Sequence, residues 1–140
     1  MTLFHRLMSS GRQCNDPFGY ARFFWSLAHQ EQLTSRVKKL IRETDLLGVA
    51  SISLWEIAML VQKERITPDI PLLDWFEEAF DNPKYRLLPL SAAVATQSGS
   101  LEMHGDPADR LIVATSLVYA IPLITMDRKI HDLEYVNAIW

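Results

Sequence analysis

The stretch DPADRLIVATSLVYAIPLITMD, residues 106–127, decides the fold class of this chain. Asp106 is typical of a helix N-cap and Pro107 of a first helical position, and an apolar helical body follows them. The segment PLITM, residues 122–126, then has the composition of a buried strand. A helix that leads directly into a buried strand is typical of α/β domains, so we expect a sheet with helices on its faces.

The same alternation is found along most of the chain. Helices are predicted at 34–43, where Thr34 is the N-cap, and at 54–66, 72–80, 91–102 and 106–120; strands are predicted at VASIS (49–53), YRLLPL (85–90), PLITM (122–126) and YVNAIW (135–140). Strands that alternate with helices predict a three-layer α/β/α domain with a mainly parallel central sheet. A first strand should precede the helix at 34–43. The stretch NDPFGYARFFW (15–25) occupies that place, but Pro17 and Gly19 interrupt the strand pattern.

Composition limits the class of protein. With 140 residues the chain predicts one domain, and the single Cys14 excludes an internal disulfide, which suits the cytoplasm. The longest mostly apolar run, residues 111–124, is shorter than the ~20 residues that span a bilayer, and the amino terminus has no sustained apolar signal segment. The net charge of −3 argues against general nucleic-acid affinity. A local basic helix face at residues 36–42 either attracts phosphates or is simply solvated.

Three acidic residues are predicted to meet at one edge of the sheet. Ligands of open α/β sheets bind beyond the carboxyl ends of the strands. Glu56 is predicted in the first turn of the helix after VASIS, Asp109 in the first turn of the helix that Asp106 opens, and Asp127 directly after PLITM. Each acid also has an ordinary structural role, in a first helical turn, a cap or a turn. Together they indicate a site.

Clustered carboxylates need a proton or a cation, because two like charges ~4 Å apart repel by about 4 kcal/mol at an effective dielectric of 20. Oxygen ligands without Cys or His favour Mg²⁺ or Mn²⁺, and such ions support hydrolysis of phosphodiesters. The residues predicted to support this site, or to contact substrate phosphates, are Ser53, Asp106, Arg110, Thr125, Arg128 and Lys129. As caps, turn residues or solvated charges they are equally ordinary.

The segments SISLWEIAMLVQKERI (51–66) and DPADRLIVATSLVYAIPLITMDRKI (106–130), with the closing strand, resemble a PIN domain of the VapC type over about residues 25–140. This family comprises ribonuclease toxins of toxin–antitoxin pairs. The resemblance implies a parallel sheet flanked by helices, an acidic pocket with Mg²⁺ or Mn²⁺, and endonucleolytic cleavage of RNA. It also implies frequent homodimers and inhibition by a VapB-type antitoxin. Glu56, Asp109 and Asp127 match three acids of the family site.

A fourth family acid, an Asp that ends the first strand in a motif like LLDTHV, is missing, and Gly19 stands in its place. The genetic code allows NDPFGYAR (15–22) to be encoded, with a suitable choice of synonymous codons, so that a shift of one base gives MILLDTHV. We therefore hypothesise that residues 1–24 are an aberrant segment that includes out-of-frame translation of the first strand, followed by a PIN-like domain at 25–140. A diverged but genuine amino terminus is the alternative.

Three hypotheses about the function follow from these residues. The first is a metal-dependent endoribonuclease toxin, with Glu56, Asp109 and Asp127 as catalytic metal ligands and with activity in doubt because of Gly19. The second is a catalytically dead PIN-like module that binds an antitoxin or a second PIN subunit. The third is a folded remnant without function.

Overall fold

The computed structural model describes residues 2–6, 33–103 and 105–140, and within these ranges it has five strands and six helices. In chain order they are β1 (Thr2–Arg6), α1 (Ser35–Glu43), β2 (Leu46–Ala50), α2 (Ser51–Gln62), α3 (Leu72–Asp81), β3 (Tyr85–Leu88), α4 (Ala92–Ser100), α5 (Pro107–Tyr119), β4 (Leu123–Thr125), α6 (Arg128–His131) and β5 (Ala138–Ile139). None of these helices combines the length and the apolar character that crossing a bilayer requires.

The five strands form one sheet in the order β3-β2-β1-β4-β5. The outer pairs β2–β3 and β4–β5 are parallel, whereas β1 runs antiparallel to both of its neighbours. Four strands therefore point in one direction, which confirms the mainly parallel sheet. The exception is the central strand.

Two hydrophobic cores lie on opposite faces of this sheet. One packs α1, α2 and α3 against Leu47 and Val49 of β2 and Ile124 of β4. The other packs α4, α5 and α6 against residues that include Ala50 and Leu123. Neighbouring residues of one strand enter different cores because successive side chains point to opposite faces. The predicted three-layer α/β/α architecture is confirmed.

Most predicted helices are found where local chemistry places them. Thr34 caps α1 by accepting a hydrogen bond from the Val37 amide at 3.2 Å, and Ser91 caps α4 by accepting from Val94 at 3.3 Å. Each cap satisfies an amide that has no partner within its helix. The predicted strands around residues 85–88, 123–125 and 138–139 are also present.

One predicted strand is misplaced. VASIS (49–53) was predicted as the strand, but β2 is Leu46–Ala50 and α2 begins at Ser51. Gly48 is buried inside β2 and pairs with Arg86. Short apolar runs fit either a strand or a buried helix, and here pairing with β3 decided the register. Glu56 consequently lies in the second helical turn and not in the first.

The centre of the sheet was not predicted correctly either. β1 is formed by residues 2–6, where no strand was predicted, and Phe4 pairs with Gly48 on one side and with Leu123 on the other. The stretch at 15–24, where the first strand was predicted, lies outside the described residues. A central position flanked by two strands offers hydrogen bonds on both sides, so a segment that fills it satisfies both ladders.

Candidate active site

The carboxyl ends of β2 and β4 lie at the same level of the sheet. Phe4 pairs with both Gly48 and Leu123, and each of these is two residues from the last residue of its strand, Ala50 or Thr125. One strand separates the two ends, so they lie roughly 10 Å apart. An acidic residue follows each of these two strand ends in the chain: Glu56 lies on α2, which follows β2, and Asp127 follows β4.

The carboxyl group of Glu56 at this edge is partly buried and has a raised pKa. Its Oε2 atom is buried and has no hydrogen-bond partner within the described part of the chain. Burial raises the pKa of the Glu56 carboxyl above its ordinary value, and the neighbouring carboxylates of Asp109 and Asp106 raise it further. A half-buried carboxylate with two other carboxylates near it favours a proton or a cation as its counterpart.

Ser53 lies one helical turn before Glu56 on α2. Its side chain is only 1% exposed, and its Oγ atom likewise has no hydrogen-bond partner among the residues that the structure describes. Residues three apart lie on the same helix face, so a buried hydroxyl and a buried carboxylate oxygen are neighbours on one surface of α2. Unsatisfied buried polar atoms are uncommon and call for a ligand, an ion or water.

Asp109 and Asp106 belong to the amino terminus of α5. Asp106 Oδ1 accepts hydrogen bonds from the amides of Ala108 at 2.9 Å and Asp109 at 3.3 Å, as predicted for an N-cap. Asp109 stands in the first turn. Because α2 and α5 are in contact, this turn faces the Glu56 region, and the effect of both aspartates on the Glu56 pKa reflects that proximity.

Asp127 also has a structural role as a helix cap. Its Oδ1 accepts a hydrogen bond from the Lys129 amide at 2.8 Å and caps the short helix α6. Its own amide donates to Thr125 Oγ1 at 3.1 Å, and the His131 ring contacts the Thr125 carbonyl oxygen through Nε2 at 2.7 Å. Thr125 thus orients the backbone of this turn.

Among the basic residues that were predicted to meet phosphates, Arg110 is engaged elsewhere. Its guanidinium donates to the carbonyl oxygens of Ser98 (3.1 and 2.8 Å), Leu101 (2.9 Å) and Met103 (3.0 Å). Arg128 and Lys129 are exposed on α6. A contact of these two residues with substrate stays a prediction. The hydrogen bonds from Arg110 to these carbonyl oxygens were not predicted, since no sequence pattern separates an arginine that binds carbonyl oxygens from one that is exposed to solvent.

The donor chemistry of this edge fits a hard divalent cation. It consists of carboxylate and hydroxyl oxygens, and one Glu56 oxygen is buried without a described partner. However, in the ranges 33–103 and 105–140 no three side chains of Asp, Glu, His or Cys lie close enough to hold a metal ion together. Asp109 and Asp106 lie near enough to Glu56 to raise its pKa, whereas Asp127 lies at the same edge as the cap of α6.

The protein is thus an α/β domain with acidic residues beyond the carboxyl ends of the strands of its mainly parallel sheet. Residues 22–134 match the PIN domain, and the chain belongs to this family. The chain is also 35% identical over 111 residues to Ribonuclease VapC22 of Mycobacterium tuberculosis (strain ATCC 25618 / H37Rv), with 78% of this chain and 84% of that protein covered. No solved structure matches the chain. The resemblance to VapC-type PIN domains is confirmed.

Proposed function

We propose that this chain derives from a metal-dependent endoribonuclease toxin that hydrolyses RNA phosphodiester bonds. The observation that carries the proposal is the Glu56 carboxylate, whose buried Oε2 atom has no described partner and whose pKa two further carboxylates raise. The similarity to a protein named a ribonuclease supports the same reading. The single cysteine of the sequence suits a reducing cytoplasm, where we place the protein.

Glu56, Asp109 and Asp127 would hold Mg²⁺ or Mn²⁺, directly or through water. When bound, such an ion neutralises their mutual repulsion and supports water activation and charge stabilisation at phosphorus. Without it, Glu56 retains a proton more readily than an ordinary glutamate does. Ser53 would hydrogen bond to the Glu56 carboxylate or to a water beside it, and Thr125 holds the backbone that presents Asp127. Arg128 and Lys129 would contact the substrate phosphates.

The partners follow from the family. We propose RNA as substrate, a VapB-type antitoxin as inhibitor and a second copy of the chain in a homodimer. Trp55 on α2 and Leu73 on α3, which are 55% and 66% exposed, are large apolar side chains that a protein partner would cover.

A second candidate function is a catalytically inactive PIN-like module that binds the antitoxin or another PIN subunit. The sequence has Gly19 where the family has the first-strand Asp, and the match to the PIN domain begins only at residue 22. The start of the PIN match near the end of this segment supports our hypothesis that residues 1–24 are an aberrant segment, although residues 2–6 form the central strand β1. Loss of one anionic ligand weakens binding of a hard cation, so cleavage by this chain would be reduced or absent.

A cleavage assay separates these candidates. Short single-stranded RNAs are incubated with Mg²⁺ or Mn²⁺ and either this chain or a restored version. The restored version begins with MILLDTHV in place of residues 1–22 and continues from residue 23. The restored version should cleave, and this chain should cleave more slowly or not at all. The Asp109→Asn variant of the restored version should lose activity, whereas Asp132→Asn, which changes an exposed aspartate beyond α6, should retain it. If neither version cleaves RNA, the nuclease proposal is wrong and the binding module remains.

A further inference from the structure

A single arginine joins the carboxyl end of α4 to the acidic amino end of α5. Arg110 is the fourth residue of α5, and its Nε and Nη2 atoms donate to the Ser98 carbonyl oxygen at 3.1 and 2.8 Å. Nη2 also reaches Leu101 at 2.9 Å, and Nη1 reaches Met103 at 3.0 Å. The last carbonyls of a helix have no partner within it, and a cation is favoured there. The guanidinium therefore satisfies the end of α4 and the chain that follows it.

The same arginine restrains the connection that carries the acids. Six residues, 101–106, separate α4 from α5, and Arg110 holds this connection at Leu101 and Met103. Asp106 is its last residue and caps α5 through the amides of Ala108 and Asp109. Asp109 directly precedes Arg110. Arg110 therefore restrains the connection that ends in Asp106, in addition to the packing of α5 in the core.

We infer that Arg110 is a positioning residue, which holds the first turn of α5 so that Asp109 and Asp106 face Glu56. It acts through carbonyl oxygens and does not need to contact substrate. The inference rests on the proposed function in so far as it assigns Asp109 to a cation site. Its geometry, however, stands on the hydrogen bonds alone. Lysine at this position would keep the charge, but one ammonium cannot reproduce the fork of a guanidinium.

The structure offers a matched control at the other end of the sheet. Lys84, which is 7% exposed and directly precedes β3, donates from Nζ to the carbonyl oxygen of Ile41 in the last turn of α1. It likewise binds the carboxyl end of a helix, but none of the three proposed ligands lies on α1 or β3. Lys84→Met should therefore destabilise the fold in a similar way and leave the acidic edge intact. Arg86→Met, at an exposed position of β3, controls for the loss of a positive charge.

The test compares Arg110→Met, Arg110→Lys, Lys84→Met and Arg86→Met in the full chain, well below the unfolding midpoint of each. Two quantities are measured: amide hydrogen exchange at Ala108 and Asp109, and the affinity for Mn²⁺ by calorimetry. We expect Arg110→Met to lose protection at both amides and to bind Mn²⁺ about 10- to 100-fold more weakly. Arg110→Lys should lie between parent and Arg110→Met, and neither control should change the two quantities.

Unchanged protection at Ala108 and Asp109 in Arg110→Met would overturn the inference. So would an equal loss of Mn²⁺ affinity in Lys84→Met, since the effect would then follow global stability. If the parent binds no Mn²⁺, this chain has no working cation site, which is the outcome that the second candidate function predicts. Hydrogen exchange alone then decides the role of Arg110: loss of protection in Arg110→Met with none in Lys84→Met supports it, and any other pattern refutes it.

Discussion

Substitution of Glu56 by glutamine should stabilise the metal-free protein while removing its proposed activity. The Glu56 carboxylate has a buried oxygen without a partner in the described part of the chain, and burial and the nearby Asp109 and Asp106 raise its pKa. Glutamine has nearly the same shape and no charge. The variant therefore removes the cost of holding an anion at this position and keeps the packing of α2.

The size of the effect follows from the negative charge on the unsatisfied oxygen, since the amide of glutamine remains polar but is neutral. A buried polar group without a hydrogen bond costs about 1–3 kcal/mol. Glu56 is only half-buried, and solvent reduces the cost, so we expect a gain of about 1 kcal/mol at pH 8. For a domain of this length that corresponds to a rise of about 3–4 °C in Tm. A cation that binds the parent at 100 times its Kd would stabilise it by about 2.7 kcal/mol and reverse the order.

The pH dependence has a definite sign. Because the pKa of Glu56 is raised in the folded state, the folded protein binds more protons than the unfolded chain between the unfolded and folded pKa values. The contribution of Glu56 to stability is fully present below the unfolded pKa and is lost as pH rises through the folded pKa. Glutamine does not titrate. The advantage of the variant should therefore be largest above the folded pKa and should shrink on acidification through that window.

Thermal and urea unfolding of parent and Glu56→Gln, with EDTA and with Mn²⁺, at pH 8 and at pH 4, measure these differences. Glu77→Gln, which neutralises an exposed glutamate of α3, is the matched control and should change stability little in any buffer. A less stable Glu56→Gln variant at pH 8 with EDTA would refute the reasoning, because it would mean that the carboxylate has a favourable partner. A gain that persists unchanged at pH 4 would refute the titration.

Two further predictions concern the elements that carry the acids. Asp127→Asn should abolish RNA cleavage by the restored version at nearly unchanged stability, because asparagine keeps the N-cap of α6. Asp127→Ala should abolish cleavage and also lower the free energy of unfolding, measured in urea, by about 1 kcal/mol. Equal stability of the two variants would contradict the role of Asp127 as the cap. Ile112→Ala, at a side chain with 0% exposure in the core beneath α5, should cost about 2–5 kcal/mol at an unchanged denaturant slope; a cost below about 1 kcal/mol would contradict the tight packing of that core.

Local chemistry made much of this domain predictable. The helix at 107–119 was predictable because its cap, its first-position proline and its apolar body all favour the same structure. The β2 region was not predictable to the residue. Its small apolar residues fit a strand or a buried helix equally well, and only the ladder to β3 placed Gly48 inside the strand. As a result, Glu56 was predicted one turn too close to the start of α2.

Most of the helices, most of the strands and the oxygen-bearing side chains that follow the strands could be predicted from the sequence, because caps, prolines and apolar periodicity act over a few residues. Which of those side chains lie near one another depends on how the helices pack on the sheet. The contact of α2 with α5 brings Glu56 to Asp109 and Asp106, and Arg110 binds carbonyls of a helix twelve residues earlier. Likewise, β1 fills the centre of the sheet through pairing with strands forty or more and more than a hundred residues away. Such pairings depend on the packing of separate segments, which local sequence does not encode.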